Sequence, residues 1–187
     1  MRASPYENEF DELVQAKIRA HNQFGWSNYS PVNLAGARIQ VEPLKVQSID
    51  LDIVSSTLTT LQLSWPELTT HEETGGSPIL SYLLQQKVGE VWVNVKGEDG
   101  SYDTASSYLQ TGLAPNSYYT FRVIAKNVHG WSLEPSDEFS FITAIVPDAP
   151  AAVITSLVNL RIRIEWIRPF DNYQDITAYK LVIGNTD

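Results

Sequence analysis

The sequence predicts an all-β chain built from repeated β-sandwiches, and three observations lead there. An eight-residue block recurs about one domain length along the chain. Short runs alternate apolar with polar residues, as half-buried strands do. Turn-forming residues separate those runs, and no stretch has a helical period.

The repeat comes first. Ala20-His21-Asn22-Gln23-Phe24-Gly25-Trp26-Ser27 returns as Ala125-Lys126-Asn127-Val128-His129-Gly130-Trp131-Ser132, offset by 105 residues (127 − 22 and 131 − 26). Leu61-Gln62-Leu63-Ser64-Trp65 returns as Ile162-Arg163-Ile164-Glu165-Trp166, at 166 − 65 = 101. Ile79 to Leu84 returns as Ile176 to Leu181, at 179 − 82 = 97. The falling offset shortens one loop while the strands keep their spacing, the usual behaviour of connecting segments. A period near 100 residues is that of a domain, not of a solenoid repeat.

Within the middle repeat, Leu61, Leu63 and Trp65 alternate with Gln62 and Ser64, which gives a strand with one buried face. Strands follow at Ile79–Lys87 and Val91–Val95, with Val88-Gly89-Glu90 as their turn, and again at Ser107–Leu113. Tyr119 to Asn127 is the clearest, its odd positions apolar up to Ala125 and Arg122 and Lys126 on the other face. Glu138 to Ala144 closes the unit, and Thr69 to Ser77, with Gly75-Gly76, is a long polar loop.

Composition narrows the function. Thirteen basic against 22 acidic residues give a net charge of −9, which a phosphate backbone repels, so nucleic acid is not an expected partner. The absence of cysteine removes disulfides, thiolate metal sites and cysteine nucleophiles. No apolar run is long enough to span a bilayer, so no membrane insertion is expected in this segment. Met1 to Phe10 is polar and acidic, unlike a secretory leader.

In order, Trp65, Tyr82, Leu113-Ala114-Pro115-Asn116-Ser117-Tyr118-Tyr119, Phe121, Val123, Ala125, Asn127, Gly130 and Ser132 resemble the fibronectin type III signature. The resemblance implies that Trp65 and Tyr82, repeated as Trp166 and Tyr179, are core aromatics. It makes Tyr119 the tyrosine corner, its hydroxyl bonded back toward Leu113. Val14 stands at the matching place of the first repeat. Pro147-Asp148-Ala149-Pro150 resembles an inter-domain linker of this family. Residues 43–146 are then a complete domain. Residues 1–42 are the closing strands of one before it, Leu13–Asn22 and Asn33–Val41, and 147–187 the first three strands of one after it. Asp11 to Ala20 with Ala35 to Ile39 also resembles the long arrays of ciliated protozoa.

Trp26-Ser27-Asn28-Tyr29-Ser30 is close to the Trp-Ser-x-Trp-Ser box of cytokine receptors, which resembles this fold and stacks its aromatics on strand arginines. Arg19 with Lys17 is expected to stack on Trp26, and Arg122 on Trp131. The alternative for these side chains is contact with a ligand. Asn28-Tyr29-Ser30 is also a glycosylation sequon at Asn28. The acidic groups Glu72-Glu73, Glu98-Asp99 with Asp103, and Asp171 with Asp175 lack EF-hand spacing and are expected to be solvated surface rather than calcium sites. Neither a nucleophile elbow nor a phosphate loop occurs, and His21, His71 and His129 fall in turns or exposed positions. No catalytic residue, metal or cofactor is expected.

The expected role is a non-catalytic structural or protein-interaction module, a spacer or scaffold within a larger cell-surface or cilium-associated protein. Its partners would be flanking domains of the same chain and other proteins. One alternative is a receptor-like binder using Thr69–Ser77, Gly97–Ser101 and Val128–Ser132. Another is a fibre subunit whose partial domains complete one another.

Overall fold

The structure, a computed structural model, describes residues 9–184 and consists of antiparallel strands with no helix among those residues. The strands gather into two compact units.

The first unit takes residues up to 49, 65–106 and 121–139. Its sheet has the order β10-β7-β8, from β7 (Ser81–Val88), β8 (Val91–Lys96) and β10 (Tyr118–Lys126); β11 (Phe139–Ile142) falls in the second unit from Ser140 onward. β10 starts in residues that belong to the second unit and joins β7 from Phe121 onward. Phe121, Val123 and Ala125 are fully buried, and Val123 and Ala125 face Leu84 and Tyr82 across the ladder. Burying a large apolar side chain contributes roughly 1.5–3 kcal/mol, so this alternating stripe dominates the unit's stability. Val46, Ile49, Trp65 and Leu68 complete its buried apolar set with Leu83.

The same unit carries short ladders near the N-terminus: β1 (Leu13–Val14) with β4 (Ala37–Arg38), and β2 (His21–Asn22) with β3 (Gly25–Trp26). The continuous strand expected over Leu13–Asn22 is thus interrupted. Between β1 and β2 its alternate amides are taken by side chains: Ala16 donates to Asn33 Oδ1 (2.7 Å), Ile18 to Ser30 Oγ (3.1 Å) and Ala20 to Ser27 Oγ (3.0 Å). The carbonyls of the same residues accept from the Asn33, Ser30 and Ser27 amides. Three residues of one segment therefore span two of the other, which is no regular β ladder although the amides and carbonyls of Ala16, Ile18 and Ala20 are all bonded.

The second unit takes residues 50–64, 107–120 and those from 140 onward. Its sheet has the order β5-β6-β9, from β5 (Asp50–Thr57), β6 (Thr60–Ser64) and β9 (Ser107–Gln110). Leu61 and Leu63 are fully buried on β6. β5 is absent from the sequence reading. Its register shifts between Asp52 and Thr57, and Ile53 and Val54 are 59% and 95% exposed, so no two-residue period marks it. β12 (Ile154–Val158) and β13 (Arg161–Glu165) form a hairpin in the same unit. The third strand expected around Ile176–Leu181 is irregular. Its counterpart β7 lies between β8 and β10, and residues 166–184 contain no equivalent of either neighbour.

Candidate functional site

The side chains singled out by the repeat meet on the strand segment from Lys17 to Trp26. Residues 17, 19 and 21 share one side of an extended chain. Arg19 Cζ lies 4.5 Å from the Trp26 ring centroid and 4.8 Å from that of Tyr29. Lys17 Nζ lies 4.6 Å from Tyr29, and His21 meets the other flank of Trp26 edge-on at 4.6 Å. The order is His21, Trp26, Arg19, Tyr29, Lys17. Aromatics three residues apart interleave with strand residues two apart, in the register set by the Ser27, Ser30 and Asn33 hydrogen bonds. Trp26 and Tyr29 remain 60% and 52% exposed, where each such contact contributes about 0.5–1 kcal/mol.

The second repeat is built differently. Trp131 bridges Lys126, whose Nζ stands 4.7 Å from its ring and 5.3 Å from that of Tyr102. Asp99 completes the group, accepting from Lys126 Nζ (2.7 Å), Tyr102 Oη (3.2 Å) and Trp131 Nε1 (3.5 Å). The expected Arg122–Trp131 stack is not formed. Arg122 lies over Trp92 at 4.2 Å and donates from Nε to Gln85 Oε1 at 2.8 Å. The repeat offset explains the difference: Lys126 takes the place of His21, Ile124 that of Arg19, and Arg122 that of Lys17. With no cation at position 124 the ladder is broken, and Arg122 is four residues, about 13 Å, from the Trp131 bridge.

Trp65 is 4% exposed and meets Tyr82 at 6.1 Å, near edge-on. Its Nε1 is buried without a hydrogen-bond acceptor. Lys96 Nζ sits 5.3 Å from the Trp65 ring, paired with Asp103 at 3.0 Å and donating to the Ala105 carbonyl at 2.8 Å. Tyr82 Oη accepts from the Leu68 amide (2.8 Å), and Tyr119 Oη accepts from the Ala114 amide (2.9 Å), just past Leu113. Trp166 and Tyr179 stack at 5.4 Å but stay 40% and 45% exposed. Asn28 is exposed, while the Ser30 hydroxyl of its sequon donates to the Pro31 carbonyl and accepts from the Ile18 amide.

The acidic groups are engaged one by one. Asp103 pairs with Lys96, Asp99 with Lys126, and Asp171 and Asp175 with Arg168. Among the described residues no three His, Cys, Asp or Glu side chains gather where they could hold a metal ion. Glu73 accepts from the Thr70 and Thr69 amides and the Thr70 hydroxyl, at 2.9, 3.1 and 2.9 Å. Those bonds, the Thr70 amide foremost, hold its carboxyl below the ordinary value of 4.5. A lowered folded-state value means stabilisation present above the ordinary value and lost as pH falls through the lowered one. The 69–77 loop should therefore loosen on acidification. Amide NMR shifts of Thr69 and Thr70 should titrate in the parent chain and lose that transition in Glu73→Gln.

The Thr69–Ser77 loop is anchored. Its backbone is bonded to residues 40–44: the Leu44 amide donates to the Glu73 carbonyl (2.9 Å) and the Val41 amide to the Gly75 carbonyl (3.0 Å). His71 Nε2 also lies 3.0 Å from Asp11, and His129 Nε2 3.0 Å from Gln40 Oε1. The polar composition of the loop signals exposure; nothing local marks the chain it grips.

Comparison with known proteins agrees with this architecture. Residues 44–142, more than half of the chain, match the fibronectin type III domain, and the chain belongs to that family. A putative receptor-type tyrosine-protein phosphatase of Aedes aegypti, mosPTP-1, is 33% identical over 95 residues, 49% of this chain and 7% of that protein. The chain thus spans less than a tenth of the length of that relative. Among solved structures, domains A168–A170 of titin are 24% identical with a TM-score of 0.50, covering 72% of this chain and 42% of theirs. Titin kinase with its flanking domains is 28% identical with a TM-score of 0.42, covering 55% and 17%. Domains of this family generally serve as structural or interaction modules in multi-domain proteins and are typically non-catalytic.

Proposed function

We propose that this chain is a non-catalytic spacer or scaffold segment of a larger protein, with residues 43–146 as one complete domain between parts of two others. The observation that carries this is how the outer-face side chains are used. Arg19 is held by Trp26 and Tyr29, Lys126 by Asp99, Tyr102 and Trp131, and Arg122 by Gln85 and Trp92. Groups spent on one another stiffen a surface and are not poised for a reaction. The receptor-type name of the mosquito relative supports a place at the cell surface; the ciliate-like wording near the N-terminus supports a cilium-associated array. Contacts to other proteins would then fall on exposed faces carrying Phe24 and Leu133, each 88% exposed.

A second reading, self-assembly through the partial domains, is favoured by the exposed Ile154, Leu157, Ile162, Ile167, Val182 and Ile183. One set of measurements tests both. Trp131→Ala should lower stability by about 0.5–1 kcal/mol without changing which proteins the chain retains in cross-linking. A well-folded variant that loses those proteins would overturn the spacer reading in favour of a receptor-like binder. Size-exclusion chromatography of the parent chain should show a monomer at all concentrations; a ladder of oligomers would favour self-assembly.

A further inference from the structure

The loop between the second and third strands of the complete domain closes on the chain that leads into it, and the next repeat does the same. At the first junction the Leu44 amide donates to the Glu73 carbonyl and the Val41 amide to the Gly75 carbonyl. Gln40 Nε2 donates to the Gly76 carbonyl at 2.6 Å. Asn127 Nδ2 donates to the Val41 and Thr74 carbonyls at 2.7 and 2.9 Å. A Cβ on Gly75 would overlap the Val41 carbonyl and stand 2.6 Å from that of Glu42, so only glycine lets the loop come this close.

At the second junction the Asp148 amide donates to the Phe170 carbonyl at 3.0 Å. Asn172 Nδ2 donates to the Val146 carbonyl at 2.8 Å and to the Asp148 carboxylate at 3.0 Å. The correspondence is positional. Glu73 precedes Tyr82 by the same nine residues as Phe170 precedes Tyr179 (82 − 73 = 179 − 170), and Val146 follows Val41 by the repeat offset of 105. Asn172-Tyr173 stands where Gly75-Gly76 does, with φ of 52° and 69° against 65° and 78°. Tyrosine rarely adopts that conformation, and such strain persists only where the surroundings over-determine it. Here the Phe170 ring meets Tyr173 edge-on at 5.5 Å, and the Asp171 carboxylate accepts its amide at 3.2 Å.

From these two junctions we propose that the second-to-third-strand loop of each repeat is a clamp on the exit of the repeat before it. The loop's partner is the segment joining the two repeats, from the last residues of the preceding one (Gln40 and Val41; Val146) to the first of its own (Leu44; Asp148), and the clamp holds that segment where a free linker would swing. This rests on the tandem-domain reading above and adds to it a linker that is held in place.

Amide hydrogen exchange on the full 187-residue chain tests it. Leu44 and Asp148 lie in connecting segments yet should be protected in the parent chain. Gly75→Ala should speed exchange at Leu44, and Asn172→Gly, which keeps the loop conformation and removes the donor, should speed it at Asp148, each by at least about tenfold. Amides of β6 and β10 report separately on whether the complete domain is folded, so failure of the tandem reading shows there. Unprotected Leu44 and Asp148 in the parent chain would overturn the clamp, as would variants that leave their exchange unchanged. Should Gly75→Ala also expose β10, the Asn172→Gly result at Asp148 decides alone.

Discussion

Replacing Phe121 with alanine is expected to destabilise the chain by about 3–5 kcal/mol, read as a lower urea midpoint at unchanged slope. Phe121 is fully buried at the point where β10 joins β7, opposite Gln86, and leads the stripe that continues through Val123 and Ala125. Truncation removes the largest fully buried side chain among the described residues and leaves a cavity that a paired central strand cannot collapse into. With typical domain stabilities of about 5–15 kcal/mol, the variant should sit near the edge of folding at room temperature. Loss of a single cation–π contact on the outer face costs about a fifth as much. A Phe121→Ala midpoint shift no larger than that of Trp131→Ala would show that the buried stripe is not what holds this sheet.

The parts of the fold legible in the sequence are those where side-chain period and backbone register coincide. Leu61 and Leu63 on β6, and Phe121, Val123 and Ala125 on β10, alternate without interruption, and the structure buries all five. β5 is illegible because a register shift sends Ile53 and Val54 to solvent and breaks its alternation. The Arg19–Trp26 contact is legible because it is local, seven residues apart (26 − 19), whereas Lys17, expected on Trp26 too, lies over Tyr29. The partner of Arg122 is not legible. Trp92 is 30 residues away in sequence (122 − 92) and reaches Arg122 only through the β7–β8 hairpin. The clamp by residues 69–77 is illegible for the same reason. Its partners, Gln40 to Leu44, are backbone groups and one side-chain amide, and backbone bonding leaves no mark on residue type. Only Gly75-Gly76 hints at a close approach, and a glycine pair equally fits an open turn.

Two glycines of similar backbone conformation separate close approach from conformational freedom. Gly89 and Gly97 both have positive φ, 60° and 80°. A Cβ on Gly89 meets nothing within 4 Å, so Gly89→Ala should cost only the left-handed penalty of about 1–2 kcal/mol. A Cβ on Gly97 would overlap the Tyr82 carbonyl and stand 3.0 Å from Ser81 Oγ. Neither can step aside. The Tyr82 amide is held by the Asp103 carbonyl at 2.9 Å, and the Ser81 hydroxyl, itself buried, donates to the Gly97 carbonyl at 2.7 Å. Accommodating alanine means prying β8 from β7 at Leu84–Lys96, next to Lys96 over the Trp65 ring. Gly97→Ala is therefore expected to cost about 3 kcal/mol or more, well above the effect at Gly89. The damage should also spread. Asp99 lies two residues beyond Gly97 and accepts from Lys126 and Trp131, so the Trp131 indole resonance should shift in Gly97→Ala and stay in place in Gly89→Ala. Equal losses for the two variants in thermal or urea unfolding would mean that positive φ alone, and not the contact with Tyr82, fixes glycine at position 97.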